Sequence, residues 1–158
     1  MKGAFDFSKK DSSGKSYRNQ GKNNEDFYAF GQEVIAPCQA TVVKVIDGIE
    51  DNSVRRPNAV HTYGNTIVLK TAQEEFLLLA HLKNQSIIVT EGQMVNQGDP
   101  MARCGNSGYS MEPHLHFIVQ NVADLFHPTG AKCYFDNVMV NGRVKQDYSP
   151  VQGEQITN

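Results

Sequence analysis

The chain has 158 residues, with Lys+Arg 15 against Asp+Glu 17 and a formal net charge of -2, a balance that offers no basic surface to nucleic acid or an anionic membrane. Hydrophobic residues make up 39% and charged residues 20%, the composition of a folded domain rather than a disordered or collagenous chain. No apolar run approaches the ~18 residues of a membrane span, and the opening Met-Lys-Gly-Ala-Phe-Asp-Phe shows no apolar core of a secretory signal.

Residues 1–24 are rich in Gly, Ser, Lys and Asn and read as an N-terminal arm or long loop, with one short apolar strand at 4–7, Ala-Phe-Asp-Phe. Strands are predicted at 33–37 and 40–46, the second β-branched and partly alternating. Residues 47–62 are polar, contain Gly and Pro, and read as a long surface excursion. Strand signals resume at 65–70 and 75–82, joined by a short polar linker that suits a hairpin. Shorter strands are expected at 86–89 and 101–104, and residues 114–120 alternate cleanly. The tail carries strand signals at 133–135 and 138–144, with Asn141-Gly142 as a turn. Nowhere do apolar residues recur at helical spacing over three turns.

The expected fold is therefore all-β, an antiparallel β-sandwich or partly open barrel of short strands. One domain is expected, with the arm at 1–24, a β core at 25–125 and a C-terminal β extension at 126–158. Cys38, Cys104 and Cys133 form no CxxC pair and are too few for a disulfide framework, so they read as small buried hydrophobes.

The most informative stretch is 105–117, from Gly-Asn-Ser-Gly to Pro-His-Leu-His-Phe. Side chains alternate along a strand, so His114 and His116 share a face with Cβ atoms ~7 Å apart, while Leu115, Phe117 and Val119 point to the core. Two imidazoles on the open face of an apolar strand are costly unless they meet water or a ligand. A third, His81, closes the apolar run 76–80. Each feature alone has a plain reading, as exposed strand histidines or as a histidine packed at a strand end.

Taken in order, these segments resemble a known family. They are Ala-Phe-Asp-Phe at 4–7, Gly-Gln-Glu-Val-Ile-Ala-Pro at 31–37, Tyr-Gly-Asn at 63–65, Ala-His-Leu at 80–82, the run 91–99, the Gly-Asn-Ser-Gly turn and Pro-His-Leu-His-Phe. Over about residues 4–119 the chain is similar to the lysostaphin- and LytM-like zinc metallopeptidases, which cut peptide cross-links in bacterial cell walls. The resemblance implies a β-sandwich of the duplicated hybrid motif type. It implies zinc held by the histidine and the aspartate of an HxxxD motif and by the second histidine of HxH, here His116. His81 and His114 match the family's two catalytic imidazoles beside the bound water. Asp6, between two aromatics, matches the aspartate, and Asp26 is its competitor.

The departure from the family lies four residues before the aspartate. Lys2 and Lys22 stand where HxxxD would place a histidine, and an ammonium has no free lone pair. The resemblance then implies an N-terminally incomplete member that binds zinc weakly or not at all. His61 and His127 read as solvated loop histidines. The function implied is a zinc-dependent endopeptidase acting on peptidoglycan peptides in the cell envelope. The alternative is a catalytically impaired relative that binds peptidoglycan or a protein partner without cleaving it. Residues 91–99 also look like the turn of biotinyl and lipoyl carriers, but no acceptor lysine flanked by Met or Asp is present, and the HxH strand has no purpose there.

Overall fold

Alternating apolar side chains need a second layer to cover them, and the strands of this chain meet that need with three antiparallel sheets. The computed structural model describes residues 3–122 and 130–157, so Lys2 and His127 lie outside the described residues. The strands are β1 (Ala4–Phe7), β2 (Glu33–Ile35), β3 (Ala40–Ile46), β4 (Asn65–Lys70), β5 (Phe76–Leu82), β6 (Met94–Val95), β7 (Pro100–Arg103), β8 (Leu115–Gln120), β9 (Phe135–Val140), β10 (Arg143–Tyr148) and β11 (Ile156–Thr157). The helical content among the described residues is one 3-10 turn, Asn24–Asp26.

The main sheet has six strands in the order β1-β8-β5-β4-β3-β6. Its outer strands β1 and β6 do not pair with each other, so the sheet is open and not a closed barrel. The β2–β7 pair covers one face. Val34 of β2 with Met101 and Ala102 of β7 pack there against Val42, Ile67, Leu69, Leu77, Leu79, Phe117 and Val119 of the main sheet. The all-β expectation therefore holds, with two unequal layers.

The opposite face of the main sheet carries a smaller apolar cluster of Val68, Leu78, Ala80 and Ile118, with Tyr63 and Phe76 against it. Both faces of β4 are covered for this reason, and its burial runs almost without interruption from Asn65 to Leu69. A strand buried on both sides loses the polar-apolar alternation that marks a half-exposed one. Burying these aliphatic side chains is the main stabilising contribution, at about 1.5–3 kcal/mol for each fully covered residue.

Two expectations change, and two short strands appear that were not expected. Residues 86–89 form no strand; Ile88 N–H donates to Met101 O at 2.9 Å, but Arg103 N–H donates to the Ser86 hydroxyl at 3.0 Å and not to a backbone carbonyl, so no ladder develops. The two-residue strands β6 and β11 are too short for periodicity to announce. Of the cysteines, Cys104 is buried while Cys38 and Cys133 are half-buried, and all are free thiols. The Asn141-Gly142 signal does mark the β9–β10 turn, with φ of 50° and 77° at its two residues, as a type I′ hairpin requires. The hairpin and β11 make the third sheet, in the order β10-β9-β11.

Candidate metal centre

Asp6 reaches the site because of its neighbours. Phe5 and Phe7 turn inward and pack on Phe117 and Phe135, with ring centroids 5.8–6.4 Å apart. Strand alternation then sends Asp6 to the other face. The β1–β8 register sets Asp6 directly opposite His116, and Asp6 Oδ1 lies 2.5 Å from His116 Nδ1 and 3.6 Å from His114 Nε2. That hydrogen bond with His116 holds the Asp6 carboxyl below the usual carboxylate range, against the opposing effect of its partial burial.

His81 arrives by a different device. Leu77 and Leu79 face the main core and Leu78 and Ala80 the opposite face, so simple alternation would send His81 into the core. The β4–β5 register instead slips by one between Asn65 and Ile67, and His81 takes a φ of 58°. The extra residue is a β-bulge that re-aims a side chain and lets Leu82 return to the core. A left-handed backbone at a non-glycine residue costs on the order of 1–3 kcal/mol and persists where its surroundings hold it. Here His81 N–H donates to Tyr63 O at 2.9 Å and its carbonyl accepts Gly105 N–H at 3.0 Å.

The imidazoles converge. Ring centroids are 4.8 Å apart for His81 and His114, 5.6 Å for His81 and His116, and 6.5 Å for His114 and His116. One nitrogen from each ring lies within 4.8 Å of the others. The tautomers of two of them follow from their partners. His81 Nδ1 is 2.8 Å from Ser107 O and His114 Nδ1 is 2.8 Å from Glu112 O. A carbonyl only accepts, so each Nδ1 carries the proton and each Nε2 keeps a free lone pair. Imidazole nitrogens and a carboxylate oxygen are the donor types that bind zinc, so the residues present fit that ion.

Burial, and next the neighbouring His114, pushes the His81 pKa down from 6.5 to about 4. Between those pH values the unfolded chain takes up a proton that the folded chain refuses. The stability His81 contributes is therefore complete above pH 6.5 and is lost as the pH falls toward 4, an effect of about 3 kcal/mol. Urea unfolding of the metal-free protein from pH 7 to pH 4 is expected to show this loss, and His81→Gln to flatten it. Equal pH slopes in the two proteins would contradict it.

The remaining sequence candidates lie elsewhere. The Asp26 carboxylate accepts Asn19 Nδ2 at 2.9 Å and the backbone N–H groups of Lys22 and Asn23 at 3.0 and 3.2 Å. It ties the 3-10 turn together and does not join the imidazoles. His61 is exposed, and its carbonyl accepts Gly64 N–H. Sequence reasoning missed the roles of Tyr63, whose ring stacks on His116 at 6.1 Å, and of the Ser107 and Glu112 carbonyls. The Tyr-Gly-Asn and Gly-Asn-Ser-Gly segments were the available signals.

Three imidazoles and a carboxylate gathered at one end of an antiparallel sheet form the donor set of a candidate metal centre. The model of Peptidase family M23 matches residues 21–128, and the chain belongs to that family. His81, His114, His116 and Asp26 fall inside the matched residues and Asp6 before them, so the place of Asp6 at the site rests on its contacts with His114 and His116. Endolysin 2638A of Staphylococcus phage 2638A is 29% identical over 105 residues, covering 63% of this chain. Murein hydrolase activator EnvC of Escherichia coli K12 is 30% identical over 95 residues, covering 60% of this chain. The chain spans 22% of the length of each. Lysostaphin from Staphylococcus simulans superposes with a TM-score of 0.49 at 23% identity, covering 64% of this chain and 38% of that one.

Proposed function

We propose that this chain is a zinc-dependent endopeptidase domain that cleaves peptide bonds in bacterial cell-wall peptidoglycan, acting in the cell envelope. The observation that carries the reading is the convergence of His81, His114 and His116 within 4.8 Å, with Asp6 against them, in a chain of family M23. The curated relatives, an endolysin and a murein hydrolase activator, favour cell-wall peptide as substrate. The proposal takes residues 25–125 as the peptidase core and 126–158 as an extension of it.

Asp6 and His116 would hold the zinc, which when bound supplies Lewis acidity toward the scissile carbonyl and the attacking water. Two protein ligands hold it weakly, so added zinc is expected to be required. His114 is the more exposed of the two imidazoles with a free Nε2, and this nitrogen accepts the proton of the attacking water. The imidazolium so formed returns that proton to the leaving amine. His81, kept neutral by burial, offers its Nε2 as the hydrogen-bond acceptor that orients the water. The Asp6 carboxylate balances the positive charge that His114 gains, from 3.6 Å away.

The test is incubation of the purified chain with peptidoglycan and excess zinc, with new amino termini read by mass spectrometry. Zinc-dependent cleavage that EDTA abolishes is the expected result. Absence of new termini at every zinc level would overturn it. The Escherichia coli relative, an activator of murein hydrolases, favours a second reading in which this domain binds peptidoglycan or a partner protein without cutting. Retained binding to peptidoglycan without cleavage would select that reading.

A further inference from the structure

Residues 47–62 look from their composition like a solvent-facing excursion, yet Asn52 lies against the turn that anchors two of the imidazoles. Asn52 Nδ2 donates to Gly108 O at 2.7 Å and to Ser110 O at 3.1 Å. Its backbone N–H donates to Asn106 O at 3.0 Å. Its own carbonyl accepts Asn24 Nδ2 at 2.8 Å, which fixes Asn52 from behind. The turn is thus gripped on both sides of Ser107.

The carbonyls of that same turn decide the protonation of the two rings. Ser107 O receives His81 Nδ1–H and Glu112 O receives His114 Nδ1–H. The Ser110 hydroxyl also donates to Glu112 O at 2.9 Å, so the backbone at 110 and the anchor of His114 move together. A neutral imidazole in water exchanges its proton between the two nitrogens, and a fixed acceptor on Nδ1 is what holds it there. Without the Asn52 amide, Gly108 O keeps only the Asn58 and Ser110 N–H groups, Ser110 O turns to water, and the two anchor carbonyls are held in direction less firmly.

We propose that Asn52 is a positioning residue that keeps His81 and His114 in their Nδ1–H tautomers by fixing the turn whose carbonyls they donate to. The consequence for rate rests on the peptidase reading above; the consequence for tautomers does not. Only with Nε2 free on both rings can each accept a hydrogen bond or a proton from a water in the hollow.

The experiment is nitrogen-15 long-range correlation NMR of the histidines in the metal-free protein at neutral pH, paired with kinetics of the zinc-supplied protein. The unchanged chain is expected to show single Nδ1–H tautomers at His81 and His114. Asn52→Ala is expected to show mixed tautomers at both. Its kcat should fall about 10–100-fold, with KM changed less than about twofold, and Asn52→Gln should recover part of the rate. If the alanine variant does not fold, Asn52→Ser, which keeps one donor where there were two, carries the same measurement with the same expectation. Single Nδ1–H tautomers retained at both rings in either folded variant would overturn the proposal. Set tautomers in an unchanged chain that cleaves nothing would leave it standing and overturn the peptidase reading instead.

Discussion

His114→Ala is expected to lower kcat for peptide cleavage by about 10²–10⁴-fold, the contribution of a positioned proton acceptor, while the protein still takes up zinc. His116→Ala should behave differently and lose zinc uptake itself. His116 stands on β8 and His114 just before it, both with similarly low side-chain exposure, so residue type and exposure do not separate them. Their partners do. His116 donates its Nδ1–H to the Asp6 carboxylate at 2.5 Å, and a zinc ion held by both would take the place of that shared proton. His114 turns Nδ1 to a backbone carbonyl, which leaves the Nε2 lone pair free to accept a proton. Calorimetric zinc titration beside steady-state kinetics checks the pair. Equal loss of zinc by both variants would show that His114 is a ligand and not the proton acceptor.

The second large effect is on stability. Gly108→Ala is expected to destabilise the fold by about 2–5 kcal/mol, combining the left-handed backbone cost with overpacking. Gly108 has a φ of +76°, and an added Cβ would stand 2.3 Å from Gly64 N and 2.5 Å from His61 O. Both are backbone atoms, so no side chain can swing aside. The close approach matters because Gly108 follows Ser107, whose carbonyl anchors His81 and whose hydroxyl bridges Leu82 O and Asn65 N–H at 2.7 and 2.9 Å. Urea unfolding measures the change, and a loss below about 1 kcal/mol would contradict the packing described.

Much of this arrangement is legible in single strands. The Phe-Asp-Phe alternation of β1 and the His-Leu-His-Phe alternation of β8 each separate core side chains from site side chains, and the coordinates keep that separation. The pairing of β1 with β8 is not legible, because a strand's pattern reports its faces and not its neighbours. The bulge at His81 is hidden for the same reason: it exists only relative to the register of β4. Residues 86–89 look like a strand by composition and lie along the open edge of β7, but the Ser86 hydroxyl takes the Arg103 N–H that a ladder would use. Asp26 and Asp6 both follow plausible sequence contexts, and only the long-range fold separates a carboxylate that caps a turn from one that faces imidazoles. Asn52 was invisible because its partners lie 56 and 58 residues away.

Diffraction from crystals soaked in zinc, with anomalous data at the metal edge, tests the central claim most directly. The account predicts one ion within about 2.0–2.2 Å of an Asp6 oxygen and a His116 nitrogen. A zinc ion bound without Asp6 and His116, or no zinc near them at saturating concentration, would contradict it.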